Sequence, residues 1–312
     1  MRVRSRHKVT RLINRGEEGG TLSALTSAWG KRKTTQGRLR DLLAYAMLAV
    51  GFVWFIFPLV WVVLSSLKTF QDFNQIPIRF WPSELYLGNY PRAWNSVPFG
   101  RYFLNTTIIV ALNVVGELLS ASLVGYGFAR LKFWGRNFLF VVLLSTMMLP
   151  FWVVIIPRFL LYKQIGWIGT WLPLIVPSFL ANPVYVFLMR QFFMTLPPEL
   201  DDAAKIDGCH ELGIFWRILL PLTKPVLVTI AIFAFINVWT DFVKQVIYLS
   251  RESTYTVAIG LAFLRWQIAE GDPVPGLLMA AIVFTSLPMI AVFFIGQKYM
   301  VQGIALTGRT GT

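Results

Sequence analysis

Apolar residues in this chain gather into long runs separated by short polar stretches, and the length of those runs is the first thing that constrains the fold. A helix needs roughly 20 apolar residues to cross a bilayer core of about 30 Å. Six runs approach or exceed that length: about Leu42 to Leu64, Phe103 to Phe128, Asn137 to Pro157, Trp171 to Phe193, Pro221 to Tyr248, and Leu277 to Gln297. The pattern predicts an all-α polytopic membrane protein with about six transmembrane helices. An even number of spans puts both termini on one side. The chain then divides into a basic tail (1–41), a transmembrane domain (42–297) that includes a loop at 194–220, and a short C-terminal tail (298–312).

Composition agrees: 56% of the 312 residues are hydrophobic and 14% are charged, against about 25% charged in soluble domains. The net charge of +14 would suit nucleic acid, but its placement does not. Arg2, Arg4, Arg6, Lys8, Arg11, Arg15, Lys31, Arg32, Lys33, Arg38 and Arg40 precede the first run, with Trp29 as the only aromatic among them. That tail lacks the interleaved aromatics of a single-strand binder and fits a cytoplasmic segment that sets topology and touches lipid. With the tail inside, the inner loops carry Arg130, Lys132 and Arg136, then Lys205, Arg217 and Lys224. The outer segment from Lys68 to Arg101 is rich in Pro, Trp and Tyr, as at a membrane interface.

Cys209 is the only cysteine, which excludes an intrachain disulfide and a thiolate metal site. His7 and His210 stand far apart and read as surface residues. No cleaved signal peptide is expected, because the first run is too long and starts too late. Several prolines (Pro58, Pro150, Pro157, Pro173, Pro177, Pro183, Pro288) lie in or near the spans. Each removes a backbone donor and favours a kink.

The loop before span five reads as a short capped helix. Pro198 suits the first helical position, and Glu199, Asp201 and Asp202 suit the first turn. Asp201 and Lys205 form an i,i+4 pair, and Gly208 ends the helix. Leu200, Ala203, Ala204 and Asp207 share a face whose small residues would let another protein approach closely.

The run Asp202-Ala203-Ala204, followed by Gly208, Ile218, Leu220 and Pro221, resembles the Glu-Ala-Ala loop of permease subunits in binding-protein-dependent ABC importers. Spacing is kept throughout, and Asp202 replaces the usual Glu. Further stretches resemble the maltose-type permeases: Asn105-Thr106, Tyr126 to Arg130, Met148-Leu149-Pro150, Asn182-Pro183, Arg190 to Phe193 and Asn237-Val238-Trp239. The resemblance implies a type I importer permease fold in a bacterial inner membrane. It implies alternating access with a second permease subunit, two ATPase subunits carrying ATP and Mg, and an external solute-binding protein that delivers a sugar or polyol. Ala203, Ala204 and Gly208 become the close-contact positions toward the ATPase, with Asp202 as the charged one and Asp207 completing the face. The tail Gln302 to Gly308 resembles one that some members insert between the ATPases, although the usual ending is replaced by Gly308-Arg309-Thr310-Gly311.

No cofactor is expected on the chain itself. The run Gly30-Lys31-Arg32-Lys33-Thr34 fails as a phosphate loop, since Leu25 stands where Gly is needed and Arg32 where Ser or Thr is needed. Among intramembrane polar residues, Asn182, Asn237, Trp239 and Asp241 supply the planar hydrogen-bonding groups and aromatic face of a sugar path. Glu117 costs on the order of 3 kcal/mol in a membrane if ionised; helix packing is the favoured reading for it, a place on the path the alternative, and Asn113 lies one turn earlier on its face. An ABC permease for another solute and an ion-coupled secondary transporter remain as competing functions.

Overall fold

A computed structural model describes the backbone of residues 35–269 and 275–307 and the side chains of 40–266 and 275–298. The basic tail through residue 34, with its Gly30–Thr34 run, lies outside the described residues, as do the side chains of Gln302–Thr307 and the whole of 308–312. Among the described residues every regular element is helical. The helices are α1 (Thr35–Ser66), α2 (Phe70–Asn74), α3 (Asn89–Ser96), α4 (Phe99–Arg130), α5 (Arg136–Ser145), α6 (Phe151–Gln164) and α7 (Pro183–Thr195). They continue with α8 (Glu199–Ile206), α9 (Glu211–Leu222, with a π-helical turn), α10 (Lys224–Thr240), α11 (Phe242–Tyr248), α12 (Val257–Ala269) and α13 (Pro275–Thr307).

The chain divides into two compact units, Met1–Val60 and Trp61–Thr312. Described residues of the first unit belong to one helix, which carries Pro58 in its interior. In the second unit α4 is the spine. Its central and C-terminal turns pack on α7, α9 and α10 through Ala121, Tyr126, Val186, Met189, Phe193, Phe215 and Ile230. Near its N-terminus, Phe99 joins Ala93, Leu264, Leu277, Ala280 and Ala281 from α3, α12 and α13.

Among the described residues, four helices are long and apolar enough to cross a membrane: Arg40–Ser66, Phe99–Arg130, Leu172–Thr195 and Pro275–Lys298. Two bent pairs bring the number to six if each is one span. The third expected span is not one helix. Leu149 is extended ahead of Pro150, because a residue before proline avoids the helical region, and α5 meets α6 at 100°. Pro157 does not end the second half, which runs on to Gln164. The fifth expected span is also divided. It bends by 78° between α9 and α10, then stops at Thr240, where Asp241 caps the separate α11 by accepting from the Lys244 amide at 3.0 Å. Within Leu172–Thr195 the backbone breaks before Pro183, and Ala181 takes a left-handed φ of 60°, a conformation that costs a non-glycine residue energy. Helix α12 was absent from the sequence reading, being too short for a span.

Between α1 and α4 the chain is tied down by buried polar groups. Lys68 is 1% exposed; its Nζ donates to the Arg79 carbonyl at 2.6 Å and sits 4.3 Å from the Trp61 ring centroid. Desolvation lowers its pKa, with Asp72 opposing. Asp72 accepts from the Thr69 amide at 3.2 Å and from the Ser83 amide at 3.3 Å. Burial pushes its carboxyl up, yet these hydrogen bonds together outweigh burial and hold it below the ordinary range.

Two glycines let α4 work as a spine. A Cβ on Gly116 would stand 2.1 Å from Ser178 Oγ, and one on Gly125 would stand 2.6 Å from Met189 Cβ; Gly127 has nothing within 4 Å. Gly125→Val should therefore force α7 away and lower stability by about 1–3 kcal/mol. Gly127→Ala should be neutral or slightly stabilising, since Ala is the better helix former. Apparent melting temperatures of the purified protein in mild detergent compare the two. Equal shifts would remove the close-packing account.

Candidate functional site

Two features have functional geometry, the loop helix α8 and a polar cleft along α4. Helix α8 begins after Pro198, one position later than expected for that proline, and it ends where Gly208 adopts a φ of 80°. The Cys209 amide then reaches back to the Ala204 carbonyl at 2.9 Å. A Cβ on Gly208 would meet open space, so the position asks for glycine by its backbone conformation alone.

The expected Asp201–Lys205 pair is not what forms. Asp201 turns to the end of α4, where its Oδ2 lies 3.1 Å from Arg130 Nη1 and both side chains are 12% exposed. Arg130 also donates to the Leu196 carbonyl at 2.8 Å. Lys205 instead pairs with Glu211 of α9 at 2.9 Å, and the Tyr126 hydroxyl donates to the other oxygen of that carboxylate at 2.9 Å. Hydrogen bonding to Glu211 raises the Lys205 pKa. A carboxylate offered by another element competes well with an i,i+4 partner, whose pairing is worth only about 0.2–0.5 kcal/mol.

The face expected to meet a partner is split. Ala204 is 4% exposed and belongs to the chain's own core, with Leu200 packed beside it. Asp202, Ala203, Asp207 and Gly208 are exposed. Ile206, which the sequence reading passed over, is 86% exposed and joins Ala203 on the outward face. Helical spacing could have found it, since Glu199, Asp202, Ala203 and Ile206 follow i, i+3, i+4, i+7.

The cleft has a volume of about 630 Å³, within the range of roughly 300–1,000 Å³ usual for ligand sites. Asn182, Asn237 and Asp241 all line it, so three of the four path candidates come together. Trp239 is not among the lining residues. It is buried between α4, α10 and α13, donating to the Thr285 carbonyl at 3.1 Å and stacking on Phe235. Glu117 and Asn113 do line the cleft, with Tyr185, Arg158 and Lys244. The Glu117 side chain also meets Asn182 at the head of α7, so the packing and path readings both stand for it, while its neighbours on α4 bind the irregular segment, Asn113 donating to the Leu174 carbonyl at 3.0 Å and Ser120 to the Ser178 carbonyl at 2.8 Å. The cost of Glu117 in a membrane was the signal that pointed to function. Asp241 also pairs with Lys244 at 2.5 Å. Among the described residues no three His, Cys, Asp or Glu side chains are placed to hold a metal ion.

Burial raises the Asp201 carboxyl above its ordinary range, against the pull of Arg130 and then Lys205. A raised acid favours the folded state when protonated. Its contribution is whole below the unfolded-state value and fades as pH climbs through the raised one. Asp201→Asn should abolish this acid-side gain and cost less than loss of the cation, because Asn keeps an acceptor for Arg130, which also retains the Leu196 carbonyl. Arg130→Ala should cost about 2 kcal/mol or more, because it strands a buried carboxylate. Thermal melts across the carboxylate range compare them, and equal costs for both variants would refute the buried-pair account.

A family model for binding-protein-dependent transport system inner membrane components matches residues 121–306. The arabinooligosaccharides transport system permease protein AraQ of Halalkalibacterium halodurans is 34% identical over 288 residues, covering 90% of this chain and 100% of that protein. The sn-glycerol-3-phosphate transport system permease protein UgpE of Yersinia enterocolitica is 32% identical over 273 residues, covering 85% and 95%. A crystal structure of a bacterial ABC transporter involved in the import of the acidic polysaccharide alginate aligns with a TM-score of 0.75 and 22% identity over 85% of this chain and 98% of that one. At that identity the likeness speaks for the fold. With two thirds or more of each relative covered and a family match over more than half of its length, this chain belongs to the binding-protein-dependent transport system inner membrane components.

Proposed function

We propose that the chain is one of two permease subunits of an ATP-driven importer of a sugar, oligosaccharide or polyol, with a solute-binding protein delivering the cargo. ATP and Mg belong to two partner ATPase subunits. The observation that carries this reading is the two-sidedness of α8. Its inner face is clamped to α4 and α9 by Arg130, Asp201 and Glu211, while Asp202, Ala203 and Ile206 face outward. A helix held so firmly can pass a push from a docked subunit into the membrane body. Arg130, Lys132, Arg136, Lys205, Arg217 and Lys224 fall in the two segments that the sequence reading puts on the side of α8, which supports a cytoplasmic position for that helix. On this reading residues 194–220 are the coupling loop, and Asp202, Ala203, Asp207 and Gly208 are the contact positions, with Ala204 setting the helix in place.

The cleft supports a solute path. Asn182, Asn237 and Asp241 bring hydrogen-bonding groups to one wall system between α4, α7 and α10. Rocking of this subunit against the second would expose that path to either side in turn.

The test is affinity purification in mild detergent. ATPase subunits should accompany the wild-type chain, and Ala203→Arg or Ile206→Asp should reduce their recovery about tenfold or more while the second permease stays bound, as expected when a charge is buried at an interface core. If no ATPase accompanies the wild type under several gentle conditions, the importer reading fails.

A further inference from the structure

Resting on the importer reading, we propose that Glu117 is the specificity-determining residue of the cleft, accepting hydrogen bonds from the hydroxyls of an uncharged polyhydroxylated solute. Its carboxyl meets Asn182 and has one oxygen left over. Glu117 is 8% exposed, lines the cleft, and its Oε2 has no hydrogen-bond partner. A buried acceptor without a partner carries a desolvation cost that a bound donor would remove. Asn113 and Ser120 fasten its helix to the Leu174 and Ser178 carbonyls on either side, which fixes the backbone from which the side chain enters the cleft.

The remaining lining groups decide what kind of donor fits. Asn182 caps α7, its Oδ1 accepting from the Val184 amide at 3.1 Å. Its amide nitrogen is thus the end left for the adjoining Glu117. Asn237 adjoins the Tyr185 hydroxyl. Gln245 is spent on the protein, donating to the Val238 carbonyl at 2.8 Å and accepting from Thr256. Lys244 is engaged by Asp241 at 2.5 Å, and Arg158 lines the cleft from α6 while remaining exposed.

A carboxylate or phosphate could pair with Arg158, but it brings acceptors only and leaves the orphan oxygen of Glu117 without a donor. An ammonium group would suit Glu117 but meets Lys244 and Arg158 on the facing elements. A hydroxyl both donates and accepts without charge, so it satisfies the orphan oxygen and can use Asn182 and Asn237 as well. Among relatives, the named cargoes include both arabinooligosaccharides and sn-glycerol 3-phosphate. Charge selection is therefore not dictated by the fold, and a side chain of this kind is where it can reside.

The experiment uses the full complex in proteoliposomes with its binding protein, after ATPase co-purification with the wild type has been recorded. Uptake is measured for neutral probes (arabinotriose, maltotriose, raffinose), acidic probes (trigalacturonate, glycerol 3-phosphate) and a cationic probe (glucosamine). Wild type should move neutral probes in preference to the others. Glu117→Ala should lower kcat/KM for the best neutral probe about ten- to hundredfold, the loss expected when buried hydrogen bonds are removed and their partners left unpaired. Glu117→Gln, which keeps the shape and one acceptor, should lose less and should narrow the gap between neutral and acidic probes. The proposal is overturned if an acidic or cationic probe is preferred by wild type, if no neutral probe is moved, or if both variants keep the wild-type ratio. Absence of the ATPase from wild-type preparations would instead strike the importer reading.

Discussion

Helices in a bilayer gain little from burying apolar surface, since lipid tails are as apolar as leucine, so they hold together by close packing and interhelical hydrogen bonds. That constraint meets this chain at α4. Gly116 admits Ser178 and Phe179, and Gly125 admits Met189, at distances no side chain would permit. Asn113 and Ser120, on the same helix, then satisfy carbonyls that the broken segment between residues 172 and 182 leaves open. Small residues bring the backbones together, and polar ones bind the irregular backbone. The cleft exists because both happen on neighbouring turns.

The same helix reaches α8 at its other end. Arg130 closes α4 and holds Asp201, and Tyr126, one turn earlier, holds Glu211. Thus the residues that position the loop helix and the residues that line the cleft sit on one continuous element of 32 residues. Mechanical linkage between them needs no chain of intermediates. A displacement of α8 that keeps these contacts must move α4, and with it Glu117.

Much of this architecture was legible from the chain because membrane burial imposes length. Runs such as Phe103–Phe128 admit few alternatives to a spanning helix, and the motif spacing from Asp202 to Pro221 located the loop helix. What escaped the reading has a common physical cause. Pro150 marked a kink, but its 100° size and the break at Asp241 depend on what the two halves pack against, which is a tertiary matter. The choice of Arg130 over Lys205 by Asp201 is likewise made by an element 71 residues away in sequence. Trp239 lies outside the cleft and Glu117 within it for one reason: residue type says what a side chain can bond, and only packing says which way it faces.

The split character of α8 separates two kinds of constraint within eight residues. Asp201 and Ala204 answer to the chain itself; Asp202, Ala203 and Ile206 answer to whatever lies against them. Substitutions on the outward face leave the helix's seat intact, so the surface can be retuned without rebuilding the membrane body. On the proposed reading, permeases sharing this arrangement could exchange the proteins that drive them by changing a few outward side chains, the loop helix then being a modular adaptor between a fixed conduit and an interchangeable engine.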